Sequence, residues 1–468
     1  MSAGKIHLSL YKKYYIIALA LLLFSSCSDW FDVAPKEEYI DEEALFSSES
    51  AFRNAMNGIY TELRGRDLYG GNLTLGGVEF MGQTFVPDEA LKPVADFNYQ
   101  SALVQGMAES VWEKMYHAIY SCNNLTRLLQ KKTDVVFVEG SREMMLAELK
   151  ALRATLHYEL VRLFHPQVTA NADFKGVVWM ESTTAEPVLS NRELVTKIVL
   201  ELTGAIGELK KYDPVTTRVS YNSDALFGTN SADRVWKMNY YAALGVKARA
   251  SLSLGTAAGY TDARACADAV IDDGYFAFAT TAGTDLGFSA EHLWGLAPAD
   301  TDFSELSDEL FVDRGIVLSG VADAVSWKAG AADDLRFKWL TTDLTSMSPK
   351  YAATSLVKDT ETPARIAMVK LGEIYLIAAE AALEQNDLAG TYGYLSTFVT
   401  KRFSRTTLTE LSTAEEFRAE ICTQYVREFL GEGQLFYAYK RWNLSSIPSY
   451  TGGSVDMTNK YTWIIPTN

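Results

Sequence analysis

Cys27 is the first residue whose setting promises chemistry. It closes the small pair Ser25-Ser26 behind an apolar run, Tyr14 to Phe24, which Lys5, Lys12 and Lys13 precede. A basic start, a short apolar stretch and small residues before a cut describe a secretory signal. The thiol at that cut makes the segment resemble a bacterial lipobox, in which the cysteine is acylated and becomes the first mature residue. Phe24 departs from the usual Leu, with Leu23 one place upstream. The run holds 11 residues and would rise about 16 Å as a helix, half a bilayer, too short for a permanent span. Residues 1–26 are therefore expected as a lipoprotein signal peptide. Residues 27–40, acidic and aromatic as far as Pro35, are expected as the lipidated cysteine and its tether. Several acyl groups anchor a protein stably where one does not.

A second chemistry is offered by rings beside polar side chains. Asp96-Phe97-Asn98-Tyr99 brings two of each together, Asp88 lies just upstream, and Trp294, Trp327 and Trp339 supply rings further on. Flat rings cover apolar C–H faces, while Asn and Asp make directional bonds to hydroxyls. Catalytic patterns are scarce by comparison. There is no HExxH, no GxSxG, no P-loop and no GxGxxG after a strand. Of the five histidines, His117 and His157 sit in helical patterns and are expected as satisfied structural residues. Glu373 and Glu380 share a helix face, where capping, hydrogen bonding between paired helices or ion pairing is the expected role. No catalytic residue, metal ligand or cofactor is assigned.

Bulk composition sets bounds. The chain has 468 residues, 48% apolar, with a formal charge of −16, and loss of residues 1–26 removes three more lysines and no acid. Binding phosphates needs clustered Lys and Arg, so nucleic acid is excluded as a partner. Cys122, Cys266 and Cys422 lie in apolar helical patterns, without CxxC spacing, and are expected as free thiols. No further stretch is long and apolar enough to span a bilayer.

The elements that must position these residues read as helices. Periodicity near 3.6 predicts them over 41–63, over 105–130, after Ser141 as N-cap through Met145, Leu149, Leu152, Leu156 and Leu160, and over 191–212, stopped by Asp213-Pro214. Two pairs follow, at 235–254 with 262–273 and at 366–385 with 388–403. Gly255 and Gly274 close the first. Ala378, Ala379, Ala381 and Ala382 keep a surface of the second small. Helix pairs that cannot bury their faces alone must stack, which gives a tetratricopeptide-like solenoid. Ser412-Thr413-Ala414-Glu415 reads as a capping box for a last helix carrying Phe417, Ile421, Tyr425 and Phe429. Two stretches, 64–100 and 275–362, are irregular, and long irregular segments on a rigid scaffold are often functional. The Gly-rich run Tyr69 to Gly77 within the first is expected to form turns. The fold expected is mainly α: a tetratricopeptide-like helical superhelix with a loop-rich irregular half.

Five segments in order resemble the SusD/RagB family. They are Asp29-Trp30-Phe31-Asp32-Val33-Ala34-Pro35; Val111-Trp112 through Tyr116 and Ile119 to Asn124; Ala147 to Ala154 with Tyr158, Leu160, Arg162, Leu163 and Phe164; Lys370 to Ala382 (KLGEIYLIAAEAA); and Arg427-Glu428-Phe429 through Gly433 to Lys440-Arg441-Trp442. Departures are His165 where Gly is usual and Gln434 to Tyr439 near the end. The resemblance implies 41–362 as the N-terminal region, carrying the ligand-binding segments, and 363–468 as the C-terminal helical region. It implies a four-unit superhelix and a cell-surface lipoprotein in a Gram-negative outer membrane. Its partner would be a SusC-like TonB-dependent transporter, to which it delivers captured oligo- or polysaccharide without cleaving it. Phe85 to Glu89 resembles the family's "DE" loop, and related proteins bring the two irregular regions together around the glycan. The resemblance therefore implies Asp88, Asp96, Phe97, Asn98, Tyr99, Trp294, Trp327 and Trp339 as ligand-binding residues. Alternatives are a peptide-binding lid of the same kind of transporter, or a helical glycoside hydrolase.

Overall fold

The computed structural model describes residues 45–182, 187–217, 233–280, 286–297, 302–324, 333–351, 365–403, 407–408 and 410–466. The signal, Cys27, the tether and Trp327 lie outside them. Two compact units divide the chain, Met1–Ser47 and Ser48–Asn468. The architecture below belongs to the second.

The first pair is α1 (Glu49–Leu63) with α2 (Ala102–Lys131), and the next is α3 (Ser141–Phe164) with α4 (Asn191–Tyr212). Then come α5 (Tyr240–Ser253) with α6 (Ala257–Asp273), and α7 (Leu371–Glu384) with α8 (Leu388–Arg402). Each pair packs on the next: α2 on α3, α4 on α5, α6 on α7. Two more helices follow, α9 (Ala414–Glu428) against α7 and α10 (Leu435–Arg441). The helices form where caps and apolar faces coincide. Ser48 accepts from the Ala51 amide, Asn239 from Ala242, and Ser190 with Glu193 completes a capping box on α4. Val111, Met115, Ile119, Cys122 and Leu125 form the buried stripe of α2. In α3, α5 and α7 burial runs almost all the way round, so these helices form the spine of the stack.

Several boundaries differ from expectation. Helix α1 starts at Glu49, capped by Ser48. Ser141 is the first residue of α3 rather than its cap: Gly140 precedes it with φ 80°, and the Ser141 hydroxyl donates to Glu49 at 2.6 Å. The segment expected as helix from 235 holds a 3-10 turn, Asp233–Trp236, before α5 begins at Tyr240. Thr413, not Ser412, caps α9, with Glu416 as its reciprocal partner. Residues Ile366–Lys370 are not helical. They form β4, antiparallel to β2 (His292–Leu296), and the helix begins only at Leu371. The strand forms because a partner 70-odd residues upstream offers its backbone groups, which no local periodicity can announce. Helix α9 is also not the last, since α10 and the hairpin β5 (Ser446–Pro448)–β6 (Ser454–Asp456) follow.

Buried charge ties the irregular segments to the helices. Arg402 of α8 donates to both Glu291 oxygens at 2.7 and 2.6 Å and to both Glu428 oxygens at 2.7 and 2.9 Å. Glu428 also meets Arg336 at 3.1 Å and Lys370 at 3.3 Å, Arg336 holds Asp334, and Lys350 and Lys370 share Glu432. All eight side chains are buried, and the signs cancel, as a water-free interior requires. Burial by itself would raise the Glu428 carboxyl, but Arg402, Lys370 and Arg336 hold it well below the usual carboxylate range. Elsewhere Arg234 joins Glu148 and Asp213, Arg249 joins Glu373, and Arg441 joins Glu380. Glu373 and Glu380 of α7 thus each pair with an arginine. Cys122 and Cys266 are buried free thiols, and Cys422 is a half-buried one.

Candidate ligand-binding site

The loop of interest is reached through a tightly wound glycine coil. From Arg64 to Glu79 the backbone turns with wide bonds such as Gly70 N–H to Gly65 O, Asn72 to Arg66 and Val78 to Asn72. A Cβ on Gly70 would stand 2.1 Å from the Arg64 carbonyl oxygen, and one on Gly77 would stand 2.4 Å from that of Asn72. Only glycine permits that approach. The run expected to form turns is this coil, and most of its residues are buried. It delivers the chain to the short helix Val78–Met81, whose Glu79 accepts from the Thr84 hydroxyl and from the Gly433 amide, both at 2.7 Å. Burial pushes the Glu79 carboxyl up.

Residues 84–100 are then clamped from both sides. On one side β1 (Phe85–Val86) pairs antiparallel with β3 (Val317–Leu318), and the Phe85 ring meets that of Phe311 at 5.2 Å. Asp88 grips Arg314 with bonds of 2.6 and 2.8 Å and accepts from the Leu91 amide. The Arg314 bonds hold its carboxyl below the usual range. These contacts bring the two irregular stretches together. On the other side the C-terminal segment closes in. Asp96 accepts from the Tyr450 hydroxyl at 2.8 Å, and the Tyr99 hydroxyl donates to the Lys460 carbonyl. Phe97 has φ 57° and turns its ring inward, toward Phe436 at 6.2 Å. A bulky residue in the left-handed region is held there by its surroundings.

The expected residues thus separate into groups. Asp96 and Asn98 are exposed, Asp88 and Tyr99 half-buried and Phe97 buried. Trp294 and Trp339 are each only 1% exposed and, contrary to expectation, cannot offer a ring to an outside ligand in this conformation. Trp294 lies on β2, buried along its whole length. Trp339 donates to the Leu286 carbonyl at 2.5 Å and carries the Lys350 ammonium 3.8 Å above its ring. Trp327 lies outside the described residues. His117 pairs with Glu62 at the surface, and His157 is buried between backbone groups, as structural histidines. Among the described residues there is no metal-ligating cluster and no helix long and apolar enough to cross a membrane.

Beside Tyr99 opens a cavity of about 160 Å³ lined by Val104, Gln105, Ala108, Glu109 and residues 464–466. Val104, Ala108 and Ile464 are its apolar lining, and Gln105 and Glu109 stand one helical turn apart on α2, both exposed. A ring, apolar side chains and two polar groups form a surface that can hold a small polyhydroxylated group. Sequence reasoning did not reach the C-terminal wall of this site. The Gly452-Gly453 pair was a readable hairpin signal, but nothing local places that hairpin beside Asp96.

Comparison with known proteins agrees with this architecture. The SusD family profile matches residues 327–464, the span that holds β4, α7 to α10 and the hairpin. Over that span the chain is similar to the SusD family. A SusD-like protein of Formosa agariphila is 28% identical over 160 residues, 32% of this chain and 30% of the relative, so the match spans under a third of that protein's length. A SusD superfamily protein from Bacteroides thetaiotaomicron superposes with a TM-score of 0.69 at 18% identity, covering 89% of this chain and 96% of its own. A SusD-like carbohydrate binding protein from Bacteroides vulgatus gives 0.70 at 18% identity, covering 90% and 95%. At these identities the structural likeness concerns the fold, a superhelix of stacked helix pairs.

Proposed function

We propose that this SusD-family protein is a non-catalytic glycan-binding lipoprotein. It captures oligosaccharides at the surface of a Gram-negative outer membrane, anchored through acylated Cys27, and passes them to a SusC-like TonB-dependent transporter. The observation that carries the reading is the doubly clamped loop 84–100, which presents Asn98 and the Tyr99 edge beside the 160 Å³ cavity. A pyranose C–H face would lie against Tyr99, Val104 and Ile464, with hydroxyls on Asn98, Gln105 and Glu109. Asp88 acts through Arg314 by fixing the loop, and Phe97 by packing beneath it. Water bridges complete such a site, so modest affinity is expected. The related structure named for carbohydrate binding supports the ligand class.

The test is retention of the purified protein in gels cast with polysaccharide. Tyr99→Ala should weaken binding about tenfold, the worth of an aromatic contact near 1.4 kcal/mol, with Tyr99→Phe closer to wild type. Shortening of the bound glycan by the wild-type protein, or preference for a peptide pool, would overturn the reading. Replacing Cys27 with Ala should release the protein from the membrane fraction.

A further inference from the structure

The hairpin β5–β6 carries a ring that the glycan reading does not yet use. Its tip, Ser449 to Gly453, turns on Gly452 and Gly453 at φ 88° and 76°, and a Cβ on either would meet nothing within 4 Å. The two glycines therefore face open space. Tyr450 sits on it, half-buried, and is fixed at both ends. Its backbone amide donates to Gln83 Oε1 at 3.2 Å, and its hydroxyl donates to Asp96 Oδ1 at 2.8 Å. Gln83 is itself rigid: it is fully buried, takes φ 67°, and its amide donates to the Phe80 and Ala95 carbonyls. Burial and the neighbouring Asp96 push the Tyr450 phenol up to about 12, so it stays a donor throughout the neutral range.

A surface tyrosine normally loses rotamer freedom when a ligand stacks on it. One already tied at its amide and its hydroxyl has given up that freedom on folding, so binding costs less. The Tyr450 ring makes no aromatic or cation contact among the described residues, unlike Phe97 and Phe436 beside it. The residue keeps part of its surface open to solvent. Asp96 lies two residues before Asn98 and three before Tyr99, so the tethered ring borders the same loop.

We infer that Tyr450 is a second stacking platform of the binding site, held in place by Asp96 and Gln83, and that it takes a further pyranose ring of the oligosaccharide whose first ring lies at Tyr99. This rests on the glycan reading and extends it to a ligand of more than one residue. A plain structural pin between hairpin and loop is the competing role, and ring chemistry separates the two.

The experiment uses the full chain in affinity gels containing soluble starch, laminarin, xylan or galactomannan, with whichever retards the wild type. Tyr450→Ala should weaken retention about tenfold, while Tyr450→Phe and Tyr450→Trp, which lose the Asp96 bond and keep a ring, should stay within about threefold. Binding lost equally in the Phe, Trp and Ala variants would make Tyr450 a pin and overturn the inference. Full binding by Tyr450→Ala, with loss in Tyr99→Ala, would overturn the inference and leave the glycan reading standing. Full binding by both would overturn the two together. Thermal melting of each variant identifies any that has lost its fold, and the Phe and Trp variants then decide the outcome.

Discussion

Replacing Arg402 with Met tests the claim that buried charge holds the irregular half to the helices. Arg402 is completely buried and makes four bonds under 3 Å, two to Glu291 and two to Glu428. Met has a similar reach and no charge. Glu428 would keep Arg336 and Lys370 as partners, but among the described residues Glu291 would keep only the Ala279 amide, at 2.8 Å, and no countercharge. Stranding a buried carboxylate costs about 3–5 kcal/mol. Unfolding a body of this size releases roughly 0.9 kcal/mol per kelvin, so the melting temperature should drop by about 3–6 °C. The double variant Arg402→Met with Glu291→Gln keeps the Ala279 bond and removes the stranded charge. It should recover at least about half of that loss in calorimetry or urea titration. Hydrogen exchange should rise first in segment 278–297 of the single variant. A single variant melting within about 1 °C of wild type, or a double variant as unstable as the two losses added, would refute the reasoning.

Other outcomes follow from the same geometry. His157 accepts the Met180 amide at Nε2 and so donates from Nδ1 to the Arg153 carbonyl; burial lowers its pKa to about 3. Its folded pKa lies below its unfolded value, so its contribution is intact above pH ~6.5 and is lost as pH falls toward about 3. His157→Gln should therefore flatten the stability–pH slope between roughly pH 6 and 4 by about 1.4 kcal/mol per unit in urea titrations. Gly70→Ala forces a Cβ to 2.1 Å from a carbonyl oxygen and should destabilise by about 1–3 kcal/mol. Gly207→Ala, within α4 with nothing inside 4 Å, should instead stabilise by about 0.5–1 kcal/mol; melting curves of the two variants should move in opposite directions.

The helices were legible wherever the signal was local. The stripe Val111-Met115-Ile119, the stop at Asp213-Pro214 and the left-handed Gly255 and Gly274 all sit where periodicity and capping put them. Glu373 and Glu380 were readable as ion-pair residues, though not their partners Arg249 and Arg441. What depends on distant chain was not legible. Ile366–Lys370 is a strand only because His292–Leu296 lies beside it. Trp294 and Trp339 looked like spare rings because composition counts aromatics without revealing which of them the interior consumes. His165 and Gln434, both departures from the family pattern, are absorbed by specific partners. His165 meets Asn191 and the Val177 amide, and Gln434 meets Arg162.

The bonds that fix the loop at 79–99 span an unusual length of chain. Glu79 waits for Gly433, 354 positions on; Gln83 waits for Tyr450, 367 on; Tyr99 waits for Lys460, 361 on. The helix pairs, with neighbours near in sequence, can assemble before the C-terminal segment is in place, whereas this face cannot. A molecule cut short ahead of the hairpin would hold its stacked scaffold and lack the distant bonds that order this loop.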